Sequence, residues 1–263
     1  MEFYTLASSS AGNAALVCHE NTRVLIDAGI SCRRIAHALA PLGLAAADLD
    51  GILITHEHID HVRGLETLLK RCAAPLYASS GTAAALRCPP ERLHTFAAGE
   101  RFSIGALAVR PFRTSHDARG SVGYRIDSSG GSFAVLTDTG FITDEARAAV
   151  PGVDLLLLEA NHDIEMLRSG PYPYYLKQRI LGEYGHLSND AAAAFALECA
   201  RAGTNDILLA HLSGENNTPQ LAEYTVGRVL QANGLHVRLA AAPRDTTSEV
   251  HLCRKSPSFA SES

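Results

Sequence analysis

The sequence predicts an α/β fold, an αββα sandwich of two mixed sheets flanked by helices. Short apolar or alternating runs, typical of strands, recur along most of the chain. Longer segments with apolar residues three and four apart lie between several of these runs, as expected for helices that cover a sheet. The first part of the chain is rich in strands and the later part alternates, which suits two stacked sheets with helices outside.

Each predicted strand is a short run bounded by turn residues or charges. The run FSIGALAVRPF is expected to form one long strand. In chain order, the predicted strands are FYTLAS, AALVCHE, RVLIDAG, GILIT, PLYAS, FSIGALAVRPF, VGYRID, FAVLTD, DLLLLEA, DILLAHL and HVRLAA.

The predicted helices carry recognisable start and stop signals. SNDAAAAFALECARAG has Ser188 as its N-cap and Gly203 as its stop. TPQLAEYTVGRVLQANG has Thr218 as its cap, Pro219 at the first helical position and Gly234 at its end. SCRRIAHALAPLG and VRGLETLLKRC complete the set, each as a single helix.

Composition bounds the class of protein. A chain of 263 residues with 46% hydrophobic side chains can bury one full core. We expect a single domain over residues 1–252 and a disordered tail over residues 253–263. No apolar stretch is long enough to span a bilayer and no signal peptide is visible, so we expect a cytoplasmic protein. The net charge of −5 is weak evidence against a large nucleic-acid-binding surface, because bound metal ions would offset it locally. The six scattered cysteines lack a Cys-x-x-Cys pair and indicate reduced thiols.

The stretch THEHIDH concentrates ligands for a metal ion. It places His56, His58, Asp60 and His61 directly after the apolar run GILI. Imidazole nitrogens and a carboxylate are ligands that a divalent ion such as Zn²⁺ accepts, and a loop after a strand can turn all four inward. The alternative is a solvated polar loop, which would suit a single histidine better than this cluster.

Further candidate ligands follow later strands. His116, Asp138 and His211 each lie at or just after the end of a predicted strand. Alone, each would more often be a turn cap or a structural histidine. Four residues cannot fill two metal sites, so a dinuclear centre predicts additional ligands at such positions.

On these motifs the sequence resembles the metallo-β-lactamase superfamily. The resemblance implies an αββα sandwich with a dinuclear metal site at the edges of its sheets, and it implies that Asp27, in LIDAG, supports the histidine loop. The implied roles are one ion held by His56, His58 and His116, a second held by Asp60, His61 and His211, and Asp138 bridging both.

Such a centre implies hydrolysis. Two ions roughly 3.5–4 Å apart can share a hydroxide that is nucleophilic near neutral pH. Manganese or zinc is expected, and iron also accepts this nitrogen and oxygen donor set. His58 argues against the diiron oxidoreductase branch of the superfamily, which carries glutamate at that position.

Two further stretches, LLLEANHD and YGHLSND, resemble the nuclease branch typified by the tRNA 3′-processing enzyme. The resemblance pairs Glu159 with His186, and a histidine oriented by a carboxylate is a competent general acid. Asp60, Glu159 and His186 are therefore the predicted catalytic residues, and replacing Glu159 is expected to cost less activity than replacing His186. The alternative makes Glu159 a surface acid and His186 a loop residue.

The narrowest resemblance covers nearly the whole chain. LASSSAGNA, THEHIDH, TDTG, LLLEANHD, MLRSGPYPYYLKQRI, GHLSND and LAHLSGENNTP look like the YycJ/WalJ subfamily. Members are described as metal-dependent exonucleases that act on double-stranded DNA from 5′ ends, with a suggested place in DNA repair. Ser9 stands where that subfamily has glycine. DNA is accordingly the predicted substrate and partner.

The predicted substrate contacts are backbone amides and basic side chains. Gly12 and Asn13 could form an anion-binding loop, and the helix that starts near Ser188 could bind a phosphate at its N-terminus. Arg168 and Lys177, interleaved with tyrosines, could contact a DNA end, although such runs are more often solvated helix faces. His162 and Asp163, close to Glu159, could support the site.

Two other functions remain open from the sequence. One is a small-molecule hydrolase on the same fold, either a cyclic phosphodiesterase or a thioesterase. The other is a metal-binding regulatory protein with little turnover.

Overall fold

The computed structural model describes residues 1–253 and contains two seven-stranded sheets. The strands of the first sheet are β1 (Glu2–Ala7), β2 (Ala14–His19), β3 (Thr22–Ile26), β4 (Gly51–Leu53), β5 (Leu76–Ser79), β6 (Leu93–Phe96) and β14 (His251–Leu252). Those of the second are β7 (Phe102–Ile104), β8 (Leu107–Arg113), β9 (Val122–Ser128), β10 (Gly131–Leu136), β11 (Leu155–Glu159), β12 (Asp206–Ala210) and β13 (Arg238–Ala241).

Both sheets are mixed, and each is antiparallel in one half and parallel in the other. The first has the order β14-β1-β2-β3-β4-β5-β6 and becomes parallel from β3 onward. The second has the order β13-β12-β11-β10-β9-β8-β7, with parallel pairing from β10 to β13. Antiparallel strands can be joined by short hairpins, whereas parallel strands need longer connections such as helices. The mixed pairing therefore explains the strand-rich early sequence and the later alternation of strands and helices.

The helices connect the parallel strands and cover the outer faces. They are α1 (Cys32–Leu39), α2 (Ile59–Val62), α3 (Leu65–Leu69), α4 (Ser80–Ala83), α5 (Asp144–Ala149), α6 (Ile164–Ser169), α7 (Tyr174–Leu181), α8 (Asn189–Arg201) and α9 (Pro219–Ala232).

Three apolar clusters separate the four layers. Residues from both sheets, among them Phe3 and Phe133, whose rings stack 4.3 Å apart, form the central cluster. A second cluster joins the first sheet to α1 and α3, and a third joins the second sheet to α5, α8 and α9. The predicted αββα sandwich is therefore confirmed.

The caps of the two long helices follow the predicted chemistry. The hydroxyl of Ser188 accepts a hydrogen bond from Ala191 N at the start of α8, and Thr218 does the same for Leu221 N at the start of α9. Each side chain satisfies one of the amides that has no partner within its own helix.

Two of the predicted elements are interrupted in the structure. FSIGALAVRPF is not one strand, because Gly105 adopts φ +53° and turns the chain into the β7–β8 hairpin. VRGLETLLKRC is not one helix either. Gly64 donates its N–H to Ala28 O at 2.7 Å instead of continuing α2, so a separate helix, α3, begins after it.

The last described residue belongs to the fold. Cys253 is buried and donates its backbone N–H to Met1 O at 2.9 Å. The rest of the predicted tail, 254–263, lies outside the described residues. Within 1–253, no helix is long and apolar enough to cross a bilayer.

Among the described residues, four non-glycine residues that follow strands have left-handed backbone angles; one is Glu20 (φ +52°) in the β2–β3 turn, and the other three lie at one edge of the sandwich. Asp27 follows β3 with φ +60°, Asp138 follows β10 with φ +57°, and His211 follows β12 with φ +56°. Non-glycine residues rarely adopt this conformation, and where they do the surrounding structure must hold them in it. All three were candidate site residues, and all three lie at the same edge of the sandwich.

Candidate metal centre

The structure brings all the predicted ligands together at one edge of the two sheets. Their donor atoms form overlapping groups in which all atoms lie within 4.8 Å of one another. The groups are His56 with His58 and His116; His56 with His61 and Asp138; Asp60 with His61 and His211; and Asp138 with Glu159, His186 and His211. The first and third of these groups are the two predicted ligand triads, and Asp138 lies in the other two groups, each of which shares a histidine with a triad.

Hydrogen bonds fix which nitrogen of several histidines faces the cluster. His61 donates from Nδ1 to Asp27 Oδ2 at 2.7 Å, and His116 donates from Nδ1 to Gly185 O at 3.1 Å. Both rings therefore direct Nε2 inward, the nitrogen that would bind a metal ion once it is free of its proton. Asp27 also accepts from the amide and hydroxyl of Thr55, so it fixes the start of the histidine loop and lies behind the ligands.

His58 faces the cluster with its other nitrogen. Its Nδ1 lies 3.2 Å from His116 Nε2. Two nitrogen ligands of one tetrahedral zinc ion lie roughly 3.3 Å apart, given Zn–N bonds of about 2.0–2.1 Å. The spacing therefore fits two ligands of a shared ion.

Buried polar atoms without partners also fit a metal ion. Among the described residues, His56 Nε2 and Asp138 Oδ2 are fully buried and make no hydrogen bond. Asp138 Oδ2 lies 3.2 Å from His61 Nε2, without hydrogen-bond geometry. Leaving such atoms buried and unpaired is costly, and a divalent ion would satisfy both.

The ionisable groups of the cluster stabilise one another's charges. Burial alone would raise the pKa of Asp138, but the neighbouring His211 and His61 hold it well below its ordinary range. Burial alone would lower the pKa of His211, but the carboxylates of Asp138, Asp60 and Glu159 raise it to about 10. Without an ion, protons would occupy part of this site, so metal binding must displace them.

Glu159 connects the metal cluster to His186. Its Oε1 accepts from His186 Nδ1 at 2.8 Å and from His211 Nδ1 at 3.0 Å. Its Oε2 accepts from the amides of Thr139 at 2.9 Å and Leu187 at 3.2 Å. Burial would raise the pKa of Glu159, but His186 and His211 lower it to about 2, so the carboxylate stays ionised. One buried anion thus orients two histidines.

A cavity of about 250 Å³ opens over the cluster and gives a substrate access to it. Its floor includes His58, Asp60, His116, Asp138, His186 and His211. One wall comes from the segment around α7 and carries apolar and aromatic side chains: Tyr172, Leu176, Ile180 and Tyr184. His186 has 21% of its side chain exposed, so its free Nε2 can reach a ligand in this cavity.

Comparison with known proteins agrees with this geometry. A family model described as "Beta-lactamase superfamily domain" matches residues 22–212. The chain is also 36% identical over 251 residues to the exodeoxyribonuclease YycJ of Bacillus anthracis. The aligned region covers 94% of this chain and 95% of that protein. The chain belongs to the beta-lactamase superfamily, in its YycJ/WalJ subfamily.

Other comparisons place the chain in the same superfamily. It is 37% identical over 255 residues to the exodeoxyribonuclease WalJ of Streptococcus pneumoniae D39, covering 94% of this chain and 95% of that one. Among solved structures, the metallo-beta-lactamase fold protein YhfI of Bacillus subtilis superposes with a TM-score of 0.73 over 95% of this chain and 100% of that one. That pair shares 17% sequence identity, so it supports the fold alone.

The first loop has a supporting position within this superfamily site. Asn13 is buried, and its side chain bonds to the backbone of Ser9 at 2.9 and 3.1 Å. Its own amide donates to Asp60 O at 2.8 Å, which holds the histidine loop in place. Gly12 and Asn13 do not line the cavity, whereas Ser10 does. The sequence offered no signal that distinguished Ser10 from its neighbours.

The other predicted substrate contacts also lie outside the cavity lining. The Ser188 hydroxyl is occupied as the cap of α8. Lys177 donates to Arg168 O at 2.6 Å, and Arg168 pairs with Glu165 at 3.3 Å. Their roles in DNA contact remain predictions for longer substrates.

Two residues near Glu159 have different environments. Asp163 caps α6 by accepting from Met166 N at 2.8 Å. His162 is buried, burial lowers its pKa to about 4, and neither ring nitrogen has a hydrogen-bond partner among the described residues. The His162 ring is therefore neutral near pH 7, and its role in supporting the site stays a prediction.

Proposed function

We propose that this chain is a metal-dependent exodeoxyribonuclease that removes nucleotides from the 5′ ends of duplex DNA. The observation that carries the proposal is the bond between His186 Nδ1 and Glu159 Oε1, formed beside the ligand cluster and facing the cavity. Metal binding alone does not need a histidine of this kind. The two exodeoxyribonuclease relatives, each matched over 94% of this chain, support DNA as the substrate.

We propose two ions, with His56, His58 and His116 holding one, and Asp60, His61 and His211 holding the other. Asp138 would contact both, since its two oxygens face different histidines. Manganese and zinc suit the nitrogen and oxygen donors, and iron is also compatible. When bound, such ions supply a hydroxide nucleophile near neutral pH and stabilise the negative charge that develops on the phosphate.

His186 donates a proton to the leaving oxygen in this scheme. Glu159 holds Nδ1, so Nε2 is the atom that carries the transferred proton toward the cavity. The ionised Glu159 also stabilises the positive imidazolium before transfer. After cleavage, the neutral ring takes a proton from solvent through its exposed edge.

The wall around α7 suits a nucleotide. Tyr172 and Tyr184 line the cavity, and Tyr184 is 64% exposed, so a base can stack on it at the mouth. Arg179, also in the lining, is 60% exposed and pairs with Asp117. We further propose a cytoplasmic location, where such a substrate is available, and a role in DNA repair.

A small-molecule phosphodiester or thioester is the second candidate substrate. The cavity of about 250 Å³ lies just below the usual size range of small-ligand pockets, which favours a compact ligand. The test is to load the protein with manganese or zinc and compare linear duplex DNA, single-stranded DNA, RNA, cyclic nucleotides and a thioester. Turnover of duplex DNA supports the proposal. Turnover of only a cyclic nucleotide or thioester supports the second candidate.

A further inference from the structure

A second groove opens directly off the metal cavity. It has a volume of about 420 Å³, and His116 lines both spaces. Its other lining residues are mostly small, hydroxylated or basic. The polar ones are Ser79, Ser80, Arg113, Thr114, Arg119 and Ser121, and the apolar ones are Phe96, Ala97, Ala98, Ala118 and Val122. The groove therefore adjoins the metal cavity at His116, and polar side chains lie beside apolar ones along it.

The loop that carries Arg119 is held tightly against the first sheet. The Arg119 amide donates to Glu57 Oε1 at 2.8 Å, and the next carbonyl, Gly120 O, accepts from Ser79 Oγ at 2.6 Å. A Cβ atom added to Gly81 would lie 1.9 Å from Arg119 O, so only glycine permits this approach. The backbone of Arg119 is fixed, and its guanidinium group is presented from a rigid base.

Arg119 is also the groove's unpaired cation. Arg113 lies 3.8 Å from Glu145, and across the metal cavity Arg179 is paired with Asp117. Glu57, the acid nearest Arg119 in these contacts, is occupied by the Arg119 amide and by the Thr82 hydroxyl. Within residues 1–253, the Arg119 guanidinium makes no hydrogen bond or ion pair and is free to bind an anion.

We propose that this groove binds the backbone phosphates of the DNA strand that continues from the scissile phosphate, with Arg119 as the principal contact. This inference rests on the proposed nuclease function and extends it. The two sides of His116 have complementary chemistry. The α7 wall offers aromatic surface for the terminal nucleoside, whereas the groove offers cationic and hydroxyl groups that suit phosphate oxygens.

The first test measures binding without cleavage. Metal-loaded wild type and Arg119→Ala are titrated with a duplex whose phosphorothioate linkages resist hydrolysis, at several salt concentrations. Losing one phosphate contact should reduce the slope of log K against log salt by about 0.9 for duplex DNA, or about 0.7 for a single strand. Affinity at low salt should fall roughly ten- to a hundredfold. Arg33→Ala, which removes an exposed arginine from α1, is the matched control and should leave both values unchanged.

The second test separates the groove from the metal site. Bis(p-nitrophenyl) phosphate carries no continuing strand for the groove to bind, so Arg119→Ala should hydrolyse it at the wild-type rate. On linear duplex DNA the same variant should show a raised KM with little change in kcat. Arg113→Ala should show a smaller effect in the same direction, because Glu145 already offsets its charge.

The outcomes distinguish this inference from the proposed function. If the salt slope and KM of Arg119→Ala match those of wild type and Arg33→Ala, the groove does not bind the strand. An equal loss on both substrates would also overturn the inference, since it would place Arg119 at the metal site. If the wild-type protein binds duplex DNA with a salt slope that depends on Arg119 but does not cleave the DNA, the groove binds DNA as proposed and the nuclease proposal is wrong.

Discussion

Replacing His186 with alanine tests the catalytic pair directly. The substitution removes a side chain that is 21% exposed and makes one strong bond, to Glu159 Oε1. Glu159 keeps its bonds to His211, Thr139 N and Leu187 N, so the carboxylate stays in place. Metal content and fold should therefore match those of the wild type.

The expected loss in rate on DNA is about 10²–10⁴, the usual contribution of a positioned general acid. This corresponds to roughly 2.7–5.4 kcal/mol of transition-state stabilisation at about 1.36 kcal/mol per tenfold change. The upper half of this range is favoured, because the alkoxide leaving group of a DNA sugar needs a proton in the transition state, and the ionised Glu159 is positioned to support its donor.

The assay compares two leaving groups on the same proteins. With duplex DNA, His186→Ala should lose the full amount. With bis(p-nitrophenyl) phosphate, whose phenolate leaves without protonation, the variant should remain within about tenfold of wild type. His37→Ala, a substitution of an exposed histidine on α1, is the matched control and should change neither rate.

Two results would refute the reasoning. Wild-type cleavage of DNA by metal-loaded His186→Ala would show that no proton passes through this ring. An equal loss on both substrates, together with reduced metal content, would make His186 a ligand instead of a proton donor.

Three further predictions concern the metal cluster. His58→Ala and Asp60→Ala should each lose metal and hydrolysis together while keeping the wild-type circular dichroism spectrum, since the core lies elsewhere; full metal content in either would contradict the ligand assignment. The sequence alone predicts a smaller loss for Glu159 than for His186, but Glu159 also bonds His211, so Glu159→Gln should lose at least as much activity as the His186 variant and bind metal roughly 10–100-fold more weakly; unchanged metal affinity would limit its role to the acid. In the metal-free protein the pKa of His211 is raised to about 10, and the protonated ring stabilises the folded state. This stabilisation is complete below the unfolded-state pKa of about 6.5 and is lost as the pH rises toward 10, so the Tm should fall over that window. A Tm that stays constant from about pH 6.5 to 10 would contradict the interaction of His211 with the neighbouring carboxylates.

The positions of these candidate site residues were predictable because they follow strands. Asp27, Asp138 and His211 each end an apolar run, and the ends of neighbouring strands meet at one edge of a sheet. The capped helices α8 and α9 were predictable for a similar reason, since their signals are local in sequence. The twofold role of Glu159 was not predictable, because it depends on two histidines that approach from β12 and from the loop before α8.

The errors in the fold have tertiary causes. Gly64 interrupts a helical pattern because its N–H is taken by Ala28 O from a distant loop. The strand β6 was missed because only Phe96 in it is buried, which gives no alternating pattern. Arg119 looked like any surface arginine, since its fixed backbone arises from contacts with Ser79 and Gly81.

The most direct test of the central claim is a time course of DNA cleavage by the metal-loaded protein. A linear duplex labelled at its 5′ phosphates is compared with the same sequence as a covalently closed circle. The account predicts early release of labelled mononucleotides from the linear duplex, slower release from 5′-hydroxyl ends, and survival of the circle. Nicking of the circle as fast as the linear form, or no cleavage of any DNA by a fully metallated protein, would contradict it.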